Sequence, residues 1–149
     1  MFDTKALSTA GARGLMQLMP ATAKRMAKQV GRSYSLDTLT AEPKYNVTLG
    51  AHYLNSLIED YNGFYPMAIA AYNAGPGRVK EWNAKFGDPR RGEIDVIDWV
   101  EQIPFYETRN YVQRVMETYF IYRIKHGQPP RGIHDFITRA ESTGDKLND

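Results

Sequence analysis

The sequence is divided into helical stretches by prolines at their starts and by glycine or asparagine at their ends. Pro20, Pro43 and Pro66 each stand where the first turn of a helix tolerates proline. Gly31 and the pair Asn62–Gly63 end the first two stretches, as glycine and asparagine commonly do. No stretch shows convincing strand alternation, so the sequence predicts an all-α fold of short helices.

Two of the predicted helices indicate where the core lies. The helix that begins at Pro43 is amphipathic, with apolar or small residues spaced three and four apart. Its predicted inward face comprises Val47, Gly50, Ala51, Leu54, Leu57, Ile58 and Tyr61. Residues 67–72 are apolar on every side and are expected at the centre of the fold.

The remaining segments complete this prediction. Residues 78–86 and 95–103 are predicted as short helices, and residues 33–40 and 87–92 as loops. A long helix is predicted over residues 105–126, with inward positions Tyr111, Val112, Val115, Tyr119, Tyr122 and Ile124.

Composition excludes several functional classes. The 149 residues fit one domain, and a formal net charge of +2 without clustered basic residues gives little support to nucleic-acid binding. The absence of cysteine excludes disulfides and cysteine-zinc sites. No apolar stretch reaches the roughly 18 residues of a membrane span, and no signal peptide is evident. His52, His126 and His134 lack metal-ligand spacing, so the sequence predicts no metal site at these residues.

The first segment with chemical potential runs from Ser8 to Pro20. Its small residues and glycines allow a close approach of the backbone, and Gln17 is an uncharged amide among apolar neighbours. A sugar's N-acetyl and hydroxyl groups would satisfy such an amide. The alternative is a tight turn in which Gln17 bonds nearby backbone.

Two further segments carry similar alternatives. Tyr72 and Asn73 precede Gly75 at a helix end, where they either project into a cleft or simply stop the helix with Tyr72 in the core. Glu107 falls in the first turn of the last helix, where the helix dipole favours a carboxylate. It either stabilises the helix end or positions groups in a site.

Taken in order, residues 14–20, 71–75 and 103–112 resemble the catalytic domain of soluble lytic transglycosylases, which is related to goose-type lysozyme. The similarity covers about residues 1–127. It implies a lysozyme-like α-helical bundle around a glycan-binding cleft, with no metal or cofactor. Residues 1–141 are assigned to this domain, and the polar residues 142–149 are expected to form a disordered tail. The implied partner is the glycan strand of peptidoglycan, in the periplasm or cell envelope.

The resemblance also implies a reaction. The family cleaves the β-1,4 bond between N-acetylmuramic acid and N-acetylglucosamine, and it leaves a 1,6-anhydro end instead of adding water. One glutamate acts as acid and then as base, and an apolar pocket must raise its pKa. The substrate's own N-acetyl group makes a second catalytic carboxylate unnecessary.

Individual residues inherit expected roles from the matching motifs. Ser8 and Gln17 match substrate-contacting positions, and Met19 would line the pocket. Tyr72 and Asn73 match a cleft-facing pair, with Tyr72 near the catalytic carboxyl. Glu107 matches the family's second, supporting carboxylate. One groove is therefore expected to unite Gln17, Tyr72 and Glu107.

The catalytic glutamate itself has no match in the chain. In the family it lies in a Glu-Ser-x-Phe pattern, and Met1–Asp3 corresponds to the part that begins at x. The glutamate is thus expected just before Met1, together with the helix that carries it. We therefore expect this chain to lack transglycosylase activity, and we expect low stability or self-association through uncovered apolar surface.

Other carboxylates and tyrosines receive weaker predictions. Solvated roles are expected for Glu42, Glu59, Glu81, Glu93, Glu101, Glu117 and Glu141, which leaves Glu107 as the one stand-in acid. Tyr34, Tyr61, Tyr65 and Tyr106 would serve either sugar stacking or helix packing. The alternatives to a transglycosylase are a non-catalytic glycan-binding module, a hydrolytic muramidase and a helical DNA-binding protein. A DNA-binding protein would need a basic recognition helix, and none is evident.

Overall fold

A computed structural model describes residues 3–136. Seven α-helices occupy this part of the chain, where no strand is present. They are α1 Pro20–Gln29, α2 Leu36–Ala41, α3 Pro43–Asp60, α4 Tyr65–Ala74, α5 Pro76–Phe86, α6 Val96–Glu101 and α7 Tyr106–Lys125. The predicted all-α class is confirmed. The predicted tail, residues 142–149, and Glu141 lie outside the described residues.

The chain forms two compact units, which meet in sequence between Ser56 and Leu57. The first unit contains an irregular segment of residues 3–19, followed by α1, α2 and most of α3. Its buried apolar side chains are Leu18, Ala23, Met26, Ala27, Leu39, Tyr45, Leu49 and Tyr53. The predicted boundary of the whole domain at residue 141 stays a prediction.

The second unit is built around α4, which contacts both α5 and α7. Residues 66–71 are all buried, which confirms the prediction that this apolar helix is central. Trp82 of α5 and Trp99 of α6 meet edge to face with ring centroids 6.3 Å apart. The Trp99 indole nitrogen donates to Asn83 Oδ1 at 3.0 Å, so this buried polar group is satisfied.

Pro20, Pro43, Pro66 and Pro76 all stand in first turns, as the sequence indicates for the first three. Two predicted loops are wrong, however. Residues 36–41 form α2 because the Ser35 side chain caps it by accepting from the Thr38 amide at 3.2 Å. Residues 87–92 include the short 3-10 helix Pro89–Arg91, and Asp88 and Pro89 are buried rather than on the surface.

Two predicted inward faces are also partly wrong. In α3, Val47 is 41% exposed, whereas the polar Asn46 is 1% exposed, so the buried face is rotated from the predicted one. Near the end of α7, Tyr122 and Ile124 are each 59% exposed. An apolar pattern locates a helical face only while the helix keeps a packing partner along its length.

Candidate functional site

The candidate residues of the first unit lie on a tight reversal of the chain. Arg13 and Leu18 exchange backbone hydrogen bonds of 2.9 and 3.1 Å, which close a loop over residues 14–17. The Gln17 amide donates to the Gly14 carbonyl at 3.0 Å, and Gln17 adopts the left-handed region at φ 47°. A long side chain rarely adopts this backbone, so the loop holds Gln17 in a conformation that it does not prefer.

The Gln17 side chain bonds to nearby backbone, as predicted by the alternative of a tight turn. Its Nε2 donates to the Gly14 carbonyl at 2.9 Å and to the Ala6 carbonyl at 3.3 Å. Since both partners are acceptors, the nitrogen must be the atom that faces them. The amide oxygen accepts no hydrogen bond from the described residues, and the side chain is exposed. This oxygen is available to accept from a ligand.

Ser8 and Met19 stand at the two ends of the same segment. Ser8 Oγ accepts from the Ala12 amide at 2.9 Å, and the Ser8 amide donates to the Ala12 carbonyl at 3.0 Å. The hydroxyl proton of Ser8 remains available to a ligand's acceptor. Met19 is 44% exposed and directly precedes α1, so it offers an apolar contact surface.

Sequence reasoning missed Asn46, the side chain on which this segment rests. Its Oδ1 accepts from the Met16 amide at 2.8 Å, and its Nδ2 donates to the Arg13 and Leu39 carbonyls at 2.9 and 3.1 Å. The signal in the sequence was an asparagine in a predicted helix, three and seven residues before the apolar residues Leu49 and Tyr53. Both of these residues are buried in the structure.

The candidate residues of the second unit lie at the end of α4 and the start of α7. Tyr72 is half-buried and Asn73 is exposed. Gly75, at φ 92°, ends α4 and starts α5 in one step, which leaves both side chains at a corner. The hydroxyl of Thr108 donates to Asn73 Oδ1 at 2.7 Å.

The Asn73–Thr108 bond brings two of the predicted segments together. Thr108 is 2% exposed and follows Glu107 directly, so the turn that carries Glu107 is held against the corner that carries Tyr72. Glu107 is exposed in the first turn of α7. Thr108 was not predicted as part of the site, although its place beside Glu107 in the motif was a usable signal.

The start of α7 presents aromatic rings to solvent. Tyr106 is 71% exposed beneath the Arg109 guanidinium, whose Cζ lies 5.8 Å from the ring centroid. Phe105 is 42% exposed and meets Trp82 edge to face at 5.7 Å. By contrast, Tyr65 stacks on the buried Phe136 at 4.8 Å, so it serves packing. Tyr106 is the better sugar-stacking candidate of the two.

No described carboxylate has the surroundings of a general acid. Every glutamate in residues 3–136 is exposed. In the same range Asp88 is the one buried carboxylate, and it pairs with Arg90 Nη2 at 2.6 Å. Burial would raise the pKa of Asp88, but the hydrogen bonds and charge of Arg90 outweigh it and hold that pKa below its ordinary value. A proton donor needs the opposite shift.

The described part of the chain has neither a metal-binding cluster nor a membrane-spanning helix. Residues 3–136 contain no group of three or more His, Asp or Glu side chains placed to hold a metal ion. Every helix in this range falls short of the length or the apolar character that a bilayer crossing requires.

Residues 1–94 match the family described as the transglycosylase SLT domain. The soluble lytic murein transglycosylase of Escherichia coli K12 is 38% identical over 130 residues, which cover 87% of this chain and 20% of that protein. A putative enzyme of the same name from Haemophilus influenzae is 42% identical over 127 residues, or 83% of this chain and 20% of its own. The chain thus spans about a fifth of these relatives.

Solved structures give the same similarity. An inactive mutant of the lytic transglycosylase Slt of Pseudomonas aeruginosa, with one glutamate changed to glutamine, superposes with a TM-score of 0.73 at 41% identity. That match covers 89% of this chain and 20% of the other. The 70 kDa soluble lytic transglycosylase of Escherichia coli gives 0.75 at 38% identity, over 85% of this chain and 20% of that one. A 70-kDa soluble lytic transglycosylase bound to bulgecin A also gives 0.75, at 36% identity and the same coverage.

Proposed function

We propose, from the premise that this chain belongs to the transglycosylase SLT domain family, that it is the glycan-binding part of a peptidoglycan lytic transglycosylase. One observation carries the proposal. The family match runs over residues 1–94 and therefore includes both the Gln17 segment and the Tyr72–Asn73 corner. Peptidoglycan as substrate would place the protein in the periplasm or cell envelope.

The proposed reaction of the parent enzyme is cleavage of the β-1,4 bond between N-acetylmuramic acid and N-acetylglucosamine. The leaving oxygen takes a proton from a glutamic acid, and the muramic acid C6 hydroxyl then closes a 1,6-anhydro ring as it returns a proton to that carboxylate. The Pseudomonas aeruginosa relative is inactive when one glutamate is changed to glutamine, which supports an essential glutamate in this reaction. The N-acetyl group of the substrate would stabilise the cationic centre.

Each candidate residue is proposed to make a different contact with the glycan. The free amide oxygen of Gln17 would accept from a sugar N–H or O–H, and the Ser8 hydroxyl would donate. Met19 would cover an apolar sugar face. In the second unit, Tyr72 and Asn73 would contact the glycan beside Glu107, whose exposed carboxylate accepts strong charge-assisted hydrogen bonds. That Gln17, Tyr72 and Glu107 share one groove stays a prediction.

The proton donor is not among residues 3–136 in this proposal. The glutamates there are exposed and the buried Asp88 is ion-paired, so none of these carboxylates has the apolar surroundings that a general acid needs. This observation favours a second candidate function, in which the chain by itself binds glycan without cleaving it. Glu107 directly precedes Thr108, which bonds to the candidate residue Asn73, so Glu107 is the carboxylate to test.

The test is a pelleting and digestion assay on purified peptidoglycan. We expect the chain to pellet with peptidoglycan and to release no product. Glu107→Gln should weaken binding about tenfold because it removes a charge-assisted hydrogen bond. Glu117→Gln, an exposed change on the same helix, is the matched control and should bind as the unchanged chain does.

Product analysis by mass spectrometry separates the alternatives. Fragments with 1,6-anhydro ends would show that residues of this chain supply the acid, and reducing ends heavier by one water would identify a muramidase. The proposal is refuted if the chain does not pellet with peptidoglycan and does not cleave it.

A further inference from the structure

The segment that carries Ser8, Gln17 and Met19 has no regular secondary structure to fix its conformation. Residues 3–19 contain no helix and no strand, only the isolated bridges Leu7–Arg13 and Arg13–Leu18. Backbone hydrogen bonds within the segment close its turns, as between Ser8 and Ala12 and between Arg13 and Leu18, but its position on α3 must be fixed by contacts with the rest of its unit. The left-handed backbone at Gln17 increases this requirement, because such a conformation persists only where its surroundings determine it.

One buried side chain meets the requirement. Asn46 is 1% exposed, and each end of its amide bonds to backbone of the loop. The Nδ2 group donates to Arg13, where the reversal begins, and Oδ1 accepts from Met16, the residue before Gln17. A third bond, from Nδ2 to the Leu39 carbonyl, ties the same amide to α2. No hydrocarbon side chain can replace an acceptor and two donors at once.

Glycines allow the loop to lie directly on this amide. A Cβ at Gly14 would overlap Asn46 Nδ2, and Gly14 also has a left-handed φ of 72°. A Cβ at Gly50, one turn further along α3, would overlap the Met16 side chain. Residues 14–16 therefore contact α3 more closely than any side chain at position 14 or 50 would permit.

We propose that Asn46 is a positioning residue that holds Gln17, and with it the glycan-contacting surface of residues 8–19, in its binding geometry. The inference rests on the proposed function, but the loop geometry can be tested without a ligand. Asn46 does not itself contact the glycan. Asn46 acts through the Met16 amide on the φ and the side-chain direction of Gln17. Replacement of Asn46 should therefore weaken binding even in the molecules that remain folded.

The experiment compares Asn46→Ala with Leu49→Ala in the full chain. Leu49 is fully buried on the same helix and makes none of these hydrogen bonds, so it controls for a general loss of stability. The probe is a soluble, peptide-free strand of alternating N-acetylglucosamine and N-acetylmuramic acid. Affinity is expressed per folded molecule, and amide hydrogen exchange is followed at Met16 and Gln17. Asn46→Ser, which introduces a smaller polar group, replaces the alanine variant if that variant does not fold.

We expect Asn46→Ala to weaken strand binding about tenfold and to speed exchange at Met16, whereas Leu49→Ala leaves the affinity of the folded protein within about twofold. Equal affinities for Asn46→Ala and the unchanged chain would overturn the inference, as would an equal loss in both variants. If the unchanged chain binds no strand, the proposed function fails. The exchange rate at Met16 in the two variants then decides alone whether Asn46 holds the loop.

Discussion

The two units present their candidate residues by different physical means. In the first, Ser8, Gln17 and Met19 lie on an irregular segment that depends on the buried amide of Asn46. In the second, Tyr72, Asn73 and Glu107 lie at the end of α4 and the start of α7, two helices that pack against each other. Here one hydroxyl bond, from Thr108 to the exposed Asn73, supplements apolar packing.

This difference predicts unequal tolerance to mutation. A segment that rests on one polar side chain should lose its geometry when that side chain is replaced, since the part-buried Met16 amide then loses the acceptor that Asn46 supplies. Helix ends held by packing should lose only the energy of the single bond. The following predictions test the contrast.

The largest effect is expected from Gly14→Ala. A left-handed backbone disfavours alanine by about 1–2 kcal/mol, and overlap with Asn46 adds a packing penalty, so unfolding free energy should fall by about 3 kcal/mol. Gly11→Ala is the matched control, because Gly11 has φ 91° but nothing within 4 Å of an added Cβ. It should cost about 1 kcal/mol. Urea denaturation measures both, and equal costs would contradict close packing of the loop on Asn46.

A smaller effect is expected at the helix corner. Thr108→Val keeps the shape of the side chain and removes the bond to Asn73, whose oxygen water can then reach. The free energy of unfolding should fall by about 1 kcal/mol. Thr118→Val controls for the change of side chain, because the exposed Thr118 hydroxyl bonds only the Arg114 carbonyl of its own helix. A Thr108→Val loss as large as that of Gly14→Ala would remove the contrast between the two regions.

Acid should weaken the second unit through Asp88. Arg90 holds the pKa of Asp88 below its ordinary value in the folded state, so the ionised carboxylate stabilises the fold at pH values above the pKa of the unfolded chain. This stability is lost as the pH falls through the lowered pKa, because the unfolded chain binds the proton more readily. Asp88→Asn should therefore flatten the acid limb of stability against pH. A limb that stays as steep in the variant would refute the assignment.

The smallest effect on stability, with a large effect on binding, is expected from Gln17→Gly. Glycine relieves the left-handed strain but removes one exposed and one part-buried hydrogen bond, so the free energy of unfolding should change by no more than about 0.5 kcal/mol. Strand binding should fall sharply. Asn62→Gly, at φ 53° on an exposed residue of the second unit, should leave both quantities unchanged. Undiminished binding by Gln17→Gly would exclude a role for its side chain.

The parts of the fold that sequence predicts well are those set by local interactions. Prolines and glycines mark α1, α3 and α4 because they act within one turn. The six-residue α2 escapes this reasoning, since its Ser35 cap resembles any loop serine. The buried face of α3 escapes it too, because hydrophobic patterning assigns Val47 inward and Asn46 outward, and the loop's need for hydrogen bonds reverses that order.

The candidate site shows the same limit. Motif order identifies Gln17, Asn73 and Glu107, but the partners that hold them are distant in sequence. Asn46 lies 30 residues from Met16, and Thr108 lies 35 from Asn73. Such pairings depend on how helices pack, which no single segment encodes.

The central claim, that both groups of residues bind a glycan strand, is tested most directly by NMR titration of the unchanged chain with peptide-free strands. We predict chemical-shift changes at the Gln17 side-chain amide and at the backbone of Tyr72, Asn73 and Glu107, all with one affinity. Shifts confined elsewhere, for example to the apolar pocket of about 200 Å³ lined by Ile97, Val100, Met116 and Phe120, would contradict it.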